Sequence, residues 1–251
     1  MDTRRIALVT GGTRGLGAGV ARQLAEAGWG VVITARKPPA EDAALHPGIA
    51  FLACDIRDPE AARGLVGEIL ARHGRLDLLV NNAGGAPEVA SADASPRFNE
   101  AVVGLNLLAP LYLCQVCHPH LAAAPGGGSF VNIASLSGVR PSPGTTAYGA
   151  AKAGLLSATR SLAMEWAPRV RVNALIVGLA ETEAALDHYG GAEGLARIAA
   201  GVPMGRMARG EDVAAAISFL ASDAAAYLTG AEIALHGGGE RPAFLALARG
   251  A

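Results

Sequence analysis

Short apolar runs alternate along this chain with longer segments whose apolar residues recur at helical spacing, and that alternation is its strongest structural signal. The runs fall at residues 6–10, 31–35, 49–54, 76–81, 129–134 and 170–177, with a last one at 232–236. They are continuous in Val, Ile, Leu and Ala, as strands buried on both faces require. Helical segments separate them. Six strand-then-helix passages followed by a final strand predict an α/β fold, a Rossmann-type doubly wound parallel sheet with helices on both faces and right-handed crossovers.

Composition supports that architecture. Hydrophobic residues make up 51% of the 251 residues and aromatics only 4%, so the core is expected to be built from small aliphatic side chains. The length suits one domain over residues 1–251, and no repeat, low-complexity tract or linker divides it. Pro125-Gly126-Gly127-Gly128 reads as a surface turn between a helix and a strand. Residues 181–200 follow a strand end, contain Gly190-Gly191 and fit neither strand nor turn, which suggests a mobile substrate lid.

A formal net charge of -1 offers no field to recruit nucleic acid. The mean hydropathy of +0.31 comes from Ala and Val spread along the chain, with no run expected to span a membrane. The basic start at residues 1–5 is followed by an apolar run too short for a signal-peptide core, so a cytoplasmic protein is expected. Three cysteines, Cys54, Cys114 and Cys117, are too few for a disulfide framework. Cys114-Gln115-Val116-Cys117-His118 matches a c-type haem attachment pattern and could also be a redox dithiol. The reading preferred here is two free thiols on one face of a buried helix, since residues three apart are helical neighbours.

Thr10-Gly11-Gly12-Thr13-Arg14-Gly15-Leu16-Gly17 directly follows the first strand and opens an Ala-rich helix. Glycines there let the backbone approach a pyrophosphate, which free N–H groups and the helix dipole would hold. The spacing is G-x-x-x-G-x-G, so the G-x-G-x-x-G motif of longer dinucleotide-binding dehydrogenases cannot be claimed, and a merely structural turn stays open on this segment alone. Where an acid would bond the ribose hydroxyls of NAD, the second strand ends in Ala35-Arg36-Lys37, with no acid before Glu41. Arg36 and Arg14 could embrace a 2′-phosphate, favouring NADP(H) over NAD(H); either could also be an ordinary solvated arginine.

Tyr148-Gly149-Ala150-Ala151-Lys152 sets a phenol and an ammonium four residues apart, on one face if helical. Tyrosine titrates near pKa ~10, so shuttling protons at neutral pH requires a cation to stabilise its phenolate. A drop of about 3 units needs about 4 kcal/mol, within reach of a lysine and an oxidised nicotinamide together in a partly desolvated site. By itself such a pair arises often by chance.

In combination, Thr10 to Gly17, Asn81-Asn82-Ala83-Gly84, Asn106, Ser135, and Tyr148 with Lys152 resemble the short-chain dehydrogenases/reductases in order and spacing, over about residues 5–239, with the ketoacyl-reductase-like members most similar. The resemblance implies an NAD(P)-dependent enzyme in which Tyr148 is general acid in reduction and base in oxidation. Ser135 would hydrogen-bond the substrate oxygen, Lys152 would also hold the nicotinamide ribose, and Asn106 would support a proton-relay water. It assigns the cofactor to Gly11, Thr13, Arg14, Gly15, Leu16, Gly17, Arg36, Asp55, Ile56, Asn82, Ala83, Gly84, Tyr148, Lys152, Gly178, Ala180 and Thr182. No metal is implied. Asp55, Asn82, Gly178 and Thr182 follow predicted strand carboxyl ends, where open α/β sheets place ligands. Two alternatives stay open: Ser137 as the active hydroxyl, and Asn106 as a residue that merely caps or kinks its helix. The family usually has Pro-Gly where this chain has Val177-Gly178, which bears on loop stiffness.

The expected reaction is hydride transfer between nicotinamide and a small carbonyl or alcohol substrate. Alternatives are a biosynthetic cyclisation, epimerisation or imine reduction on the same fold, and a cofactor-binding protein without turnover. Residues 85–94, 140–146 and 181–200 would line the pocket, with His188 and Tyr189 as candidate contacts. Their small or apolar character fits acyl thioesters, cyclic ketones and polyketides alike. The resemblance also implies a homotetramer or homodimer, with the helices around 105–116 and 150–164 as candidate interfaces or as buried core.

Overall fold

The computed structural model describes residues 4–40, 45–182, 185, 189–240 and 242. Seven strands form one parallel sheet: β1 (Ile6–Thr10), β2 (Gly30–Ala35), β3 (Ile49–Ala53), β4 (Leu78–Asn81), β5 (Gly128–Ser135), β6 (Val170–Val177) and β7 (Glu232–Leu235). Their spatial order is β3-β2-β1-β4-β5-β6-β7, so the chain reverses direction across the sheet between β1 and β4. That is the switch point at which such sheets open a crevice at their carboxyl ends.

Period-two alternation divides the core between the two faces. Ala7 and Val9 pack with Leu78, Val80 and Ile133 under α1 (Gly15–Glu26) and, near the chain's end, α7 (Gly210–Leu220). Ile6 and Leu8 face the other way, joined by Leu79, Phe130 and Val172 under α2 (Pro59–His73), α4 (Ala109–Ala123) and α5 (Thr146–Trp166). Where α1 crosses α7, a Cβ on Gly19 would lie 2.7 Å from Gly210 Cα, so the two backbones touch. Arg22 and Glu211 close the same crossing with an ion pair at 3.1 Å.

Local signals explain the helix limits. Asp58 caps α2 by accepting from Glu60 and Ala61 N–H, Pro59 follows at the first helical position, and Gly74 ends the helix at φ 74°. α3 (Pro96–Val103) is capped by Ser95 and runs through a π-turn at Gly104–Leu108 into α4. Past a loop, α6 (Gly191–Gly201) begins after Gly190 in the left-handed region.

Four sequence expectations need correction. The fourth strand begins at Leu78 and not at 76, because Asp77 turns its buried carboxylate onto Ile6 N–H (2.8 Å) and onto both Arg75 nitrogens (2.9 and 2.6 Å). The last strand stops at Leu235, ahead of three glycines at φ 62°, 95° and 86°. No helix appears among the described residues between β2 and β3, where Pro38 and Pro39 interrupt the chain. Pro96–Ala123 is long and apolar enough to cross a membrane, although no such run was expected. It passes through Pro110 and Asn106, and its Leu113, Cys114, Cys117 and Leu121 are buried against the sheet, as a core helix requires.

The expected lid falls partly on α6; Ala184, Leu186 and His188 lie outside the described residues, as does Glu41. All three cysteines are free and buried. Burial pushes the Cys114 thiol up to about 12 and raises Cys117 well above the ordinary thiol value, which suits inert core thiols.

Candidate functional site

The glycine turn is fixed by hydrogen bonds from the strand beside it. Thr10, at the end of β1, accepts at its hydroxyl from Asn82 N–H (3.0 Å) and Ala83 N–H (2.9 Å). Asn82 Nδ2 donates back to Thr10 O at 2.9 Å and Gly11 O at 3.3 Å. Within this mesh Gly11 sits at φ 65°, and a Cβ on Gly17 would lie 2.3 Å from Gly11 O and 2.4 Å from Asn82 Nδ2. Arg14 holds the N-cap position of α1 without a capping side-chain bond, and no acid occupies the first turn. The helix therefore presents N–H groups and its positive end to whatever enters, a cradle that fits an anionic pyrophosphate. A cleft of about 530 Å³ brings Thr13 and Gly15 of this turn together with Thr182 and Arg209.

At the opposite end of the turn, Arg14 and Arg36 are exposed and form no salt bridge among the described residues. Asp55, two residues beyond β3, is clasped by Arg57 through Nε (2.9 Å), Nη2 (2.6 Å) and the backbone N–H (3.1 Å). Those bonds, with a smaller pull from Arg36, hold its carboxyl down at about 2. Arg57 was not foreseen; a basic residue two places after an acid at a strand end was its only signal. Ile56, beside Asp55, is 5% exposed.

From Asn82 the site continues through Ala83 to Gly84, where a Cβ would lie 2.7 Å from Asn106 Oδ1 and 3.5 Å from Lys152 Nζ. Asn106 lies in the π-turn, and its side chain donates to Gly85 O (3.0 Å) and Val102 O (2.9 Å) while accepting from Gly85 N–H (3.2 Å). The π-turn thus positions a buried amide that clasps the loop after β4. Asn81, in contrast, points into the core and donates to Asn132 Oδ1 at 2.8 Å.

Tyr148 and Lys152 share a face of α5, with Lys152 Nζ 5.6 Å from the phenol ring centroid. Lys152 is 3% exposed, and its ammonium donates to Ile133 O at 2.7 Å. Burial without a nearby carboxylate pulls its pKa down to about 8. Ser135, the last residue of β5, has its side chain beside the Tyr148 phenol. Burial raises the Tyr148 pKa above the ordinary phenol value, and the Ser135 side chain opposes that rise.

Gly178 donates its N–H to Leu235 O and has no room for a Cβ, which would lie 2.7 Å from His236 Cβ. His236 Nδ1 is buried without a partner among the described residues, and no sequence motif singles it out. Ala180 bridges Ala208, and Thr182 Oγ1 accepts from Ala185 N–H at 3.2 Å. Beside them Glu181 pairs with Arg209 at 2.9 Å. The loop after β6 is therefore anchored to the start of α7. The residues singled out in the sequence form one contiguous band along the carboxyl edge of the sheet, from the glycine turn through Asn82, Gly84 and Lys152 to Tyr148 and Ser135.

A family model described as enoyl-(acyl carrier protein) reductase matches residues 11–240. The chain is 36% identical over 247 residues to 4-formylbenzenesulfonate dehydrogenase of Comamonas testosteroni, covering 94% of this chain and 97% of that protein. It is 38% identical over 242 residues to cis-4-hydroxycyclohexanecarboxylate dehydrogenase of Sinomonas cyclohexanicum, covering 93% and 96%. The solved structure of ElxO with NADP bound superposes with a TM-score of 0.85 at 27% identity, covering 94% of this chain and 98% of that one.

Proposed function

Since this chain belongs to the short-chain dehydrogenase/reductase family and is an NAD(P)-dependent oxidoreductase, we propose that it uses NADP(H), with Tyr148 as the proton-transferring group, on a small carbonyl or alcohol substrate. The observation that carries this reading is the convergence of three side chains from two elements: Ser135 beside Tyr148, with Lys152 buried next to the ring. When bound, the nicotinamide supplies the hydride and, in its oxidised form, a positive charge near the phenol.

The chain's own part is orientation and proton transfer. Ser135 and Tyr148 hydrogen-bond the substrate oxygen, and Tyr148 gives its proton as negative charge develops there. Lys152 holds the nicotinamide ribose and favours the phenolate in the reverse direction. Gly11 to Gly17 and the α1 N-terminus hold the pyrophosphate, while Asp55 and Ile56 border the adenine. Asn82, Ala83, Gly84, Gly178, Ala180 and Thr182 complete the floor and the nicotinamide end, and Asn106 supports the proton-relay water. Arg14 and Arg36 hold the 2′-phosphate; support comes from their freedom from salt bridges among the described residues, from the Arg57 clasp that already satisfies Asp55, and from NADP in the ElxO structure.

The two dehydrogenase relatives are named for ring compounds, which supports a cyclic carbonyl or alcohol for this site as well. The reading treats residues 1–251 as one cofactor-binding unit working in the cytoplasm as a homodimer or homotetramer, without nucleic acid or membrane as partner. Met164, 87% exposed on α5, and Leu108, 39% exposed beside α4, support helix-mediated assembly.

Tyr148→Phe tests the proposal. Turnover of NADPH with a panel of cyclic ketones, followed by nicotinamide absorbance, should fall by a factor on the order of 10³ while cofactor affinity stays within a few-fold. A variant as fast as its parent would overturn the assignment. Equal kcat/KM with NADPH and NADH would overturn the cofactor preference.

A further inference from the structure

Ser135, beside the Tyr148 phenol, is held by the loop that follows it. Ser135 Oγ accepts from Ser137 N–H at 3.2 Å, and the Ser137 side chain is itself held: Ser142 Oγ donates to Ser137 Oγ at 2.9 Å. Ser142 Oγ also meets Thr145 Oγ1 at 2.6 Å. Each hydroxyl carries one proton, so once Ser142 has donated to Ser137 the shorter contact must be donated by Thr145. Thr145 Oγ1 also donates to Ser142 O at 3.3 Å, so its one proton is shared between the hydroxyl and the carbonyl of Ser142. Thr145 occupies the N-cap position of α5, where a threonine hydroxyl ordinarily accepts from the first helical N–H groups, yet it makes no capping bond and faces Ser142 instead.

The chain thus joins the start, middle and end of the loop that carries Ser135 into the helix that carries Tyr148. Two contacts brace the same loop from outside: Val89 N–H donates to Gly144 O at 2.8 Å, and Ser91 Oγ lies 2.6 Å from Thr146 Oγ1.

We infer that Ser142 and Thr145 are positioning residues that hold Ser137 N–H on Ser135 Oγ, so that the Ser135 proton points to the Tyr148 phenol oxygen. The inference rests on the proposed role of Tyr148. Its chemistry is polarisation along a line of hydrogen bonds: an N–H donated to Ser135 makes its hydroxyl a better donor, which stabilises the phenolate. Ser135 is the interaction that pulls Tyr148 down against burial, so a loosened loop should let the phenol rise. The charged and titratable groups around the site are Lys152 on α5, Arg140 paired with Glu240 on the loop, Glu88 against Gly144, and His236 after β7. None of them belongs to the hydroxyl chain.

The test needs no substrate. Tyrosinate absorbance of the parent across alkaline pH, minus that of Tyr148→Phe, reports the ionisation of Tyr148 alone. Ser142→Ala should move that midpoint upward by about half a pH unit or more, while Ser142→Thr, which keeps the hydroxyl, stays near the parent. NADPH affinity, measured by fluorescence titration, should change less than about twofold in both. In a Ser135→Ala background, Ser142→Ala should produce no further shift, because the two act along one line. A midpoint in Ser142→Ala equal to the parent's, or the same upward shift with Ser135 absent, would overturn the inference; should Ser142→Ala fail to fold, Thr145→Val and Thr145→Ser carry the same comparison. Turnover of Tyr148→Phe is measured separately, so failure of the functional reading is distinguishable from failure of the chain.

Discussion

Gly17→Ala adds one methyl group to the third residue of α1 and separates two effects of opposite sign. In an open helix interior, alanine in place of glycine stabilises by about 0.5–1 kcal/mol. At Gly17 the new Cβ would sit 2.3 Å from Gly11 O and 2.4 Å from Asn82 Nδ2, about 1 Å closer than ordinary contact. Neither neighbour is the loose end of a flexible side chain: one is backbone and the other is held by Thr10 O and Gly11 O. Overpacking of this kind costs about 1–3 kcal/mol, and displacing the Asn82 amide forfeits about 1 kcal/mol more. Less the gain in helix propensity, the net loss is about 1–3 kcal/mol, and the turn moves away from its phosphate-binding position. Gly67, exposed in the middle of α2 with nothing within 4 Å of its would-be Cβ, provides the opposing case. Urea unfolding should show a lower midpoint with unchanged slope for Gly17→Ala, a slightly higher midpoint for Gly67→Ala, and NADPH affinity reduced at least about tenfold only in the first. A Gly17→Ala protein with parental midpoint and parental cofactor affinity would refute the steric reasoning.

Other outcomes follow from the charges. Burial holds the folded Lys152 down to about 8 against 10.5 for an ordinary lysine, so between those pH values the unfolded chain binds a proton that the folded one does not, and stability should rise with pH across the interval. Lys152→Met should flatten that rise and be about 1–3 kcal/mol more stable than the parent at pH 7, as read from urea unfolding, while losing activity. Arg36→Asp should lower the ratio of kcat/KM for NADPH over NADH by at least about tenfold, as an acid at this strand end would bond the ribose hydroxyls and repel a 2′-phosphate. An unchanged ratio would show that Arg36 does not face the cofactor.

The strands were legible because burial on both faces demands uninterrupted aliphatic runs, and β1, β2, β5 and β6 are lined by Val, Ile, Leu and Ala. The start of β4 was not, because the Ile6 N–H that would extend the ladder is taken by the Asp77 carboxylate, a side-chain bond that no local pattern announces. Asn106 was recognisable by its place in the motif series, but the π-turn that aims it depends on packing between α4, α5 and the sheet. The spacing of Tyr148 and Lys152 put them on one helix face, as found. The direction of the phenol's shift is set by burial, which spacing does not encode. The Arg57 clasp and the Ser137–Ser142–Thr145 line are likewise products of loop geometry.

The bare crossing of Gly19 over Gly210 has a mechanical consequence. One helix springs from the phosphate turn; the other starts next to Arg209, whose partner Glu181 belongs to the loop bordering the nicotinamide. With no side chain between them, the two rods share a pivot, and the proposed pyrophosphate and nicotinamide seats rest on one mount. Wedging that pivot open from the far side of the sheet would tilt one seat relative to the other, so a ligand that touches neither glycine would still register the change.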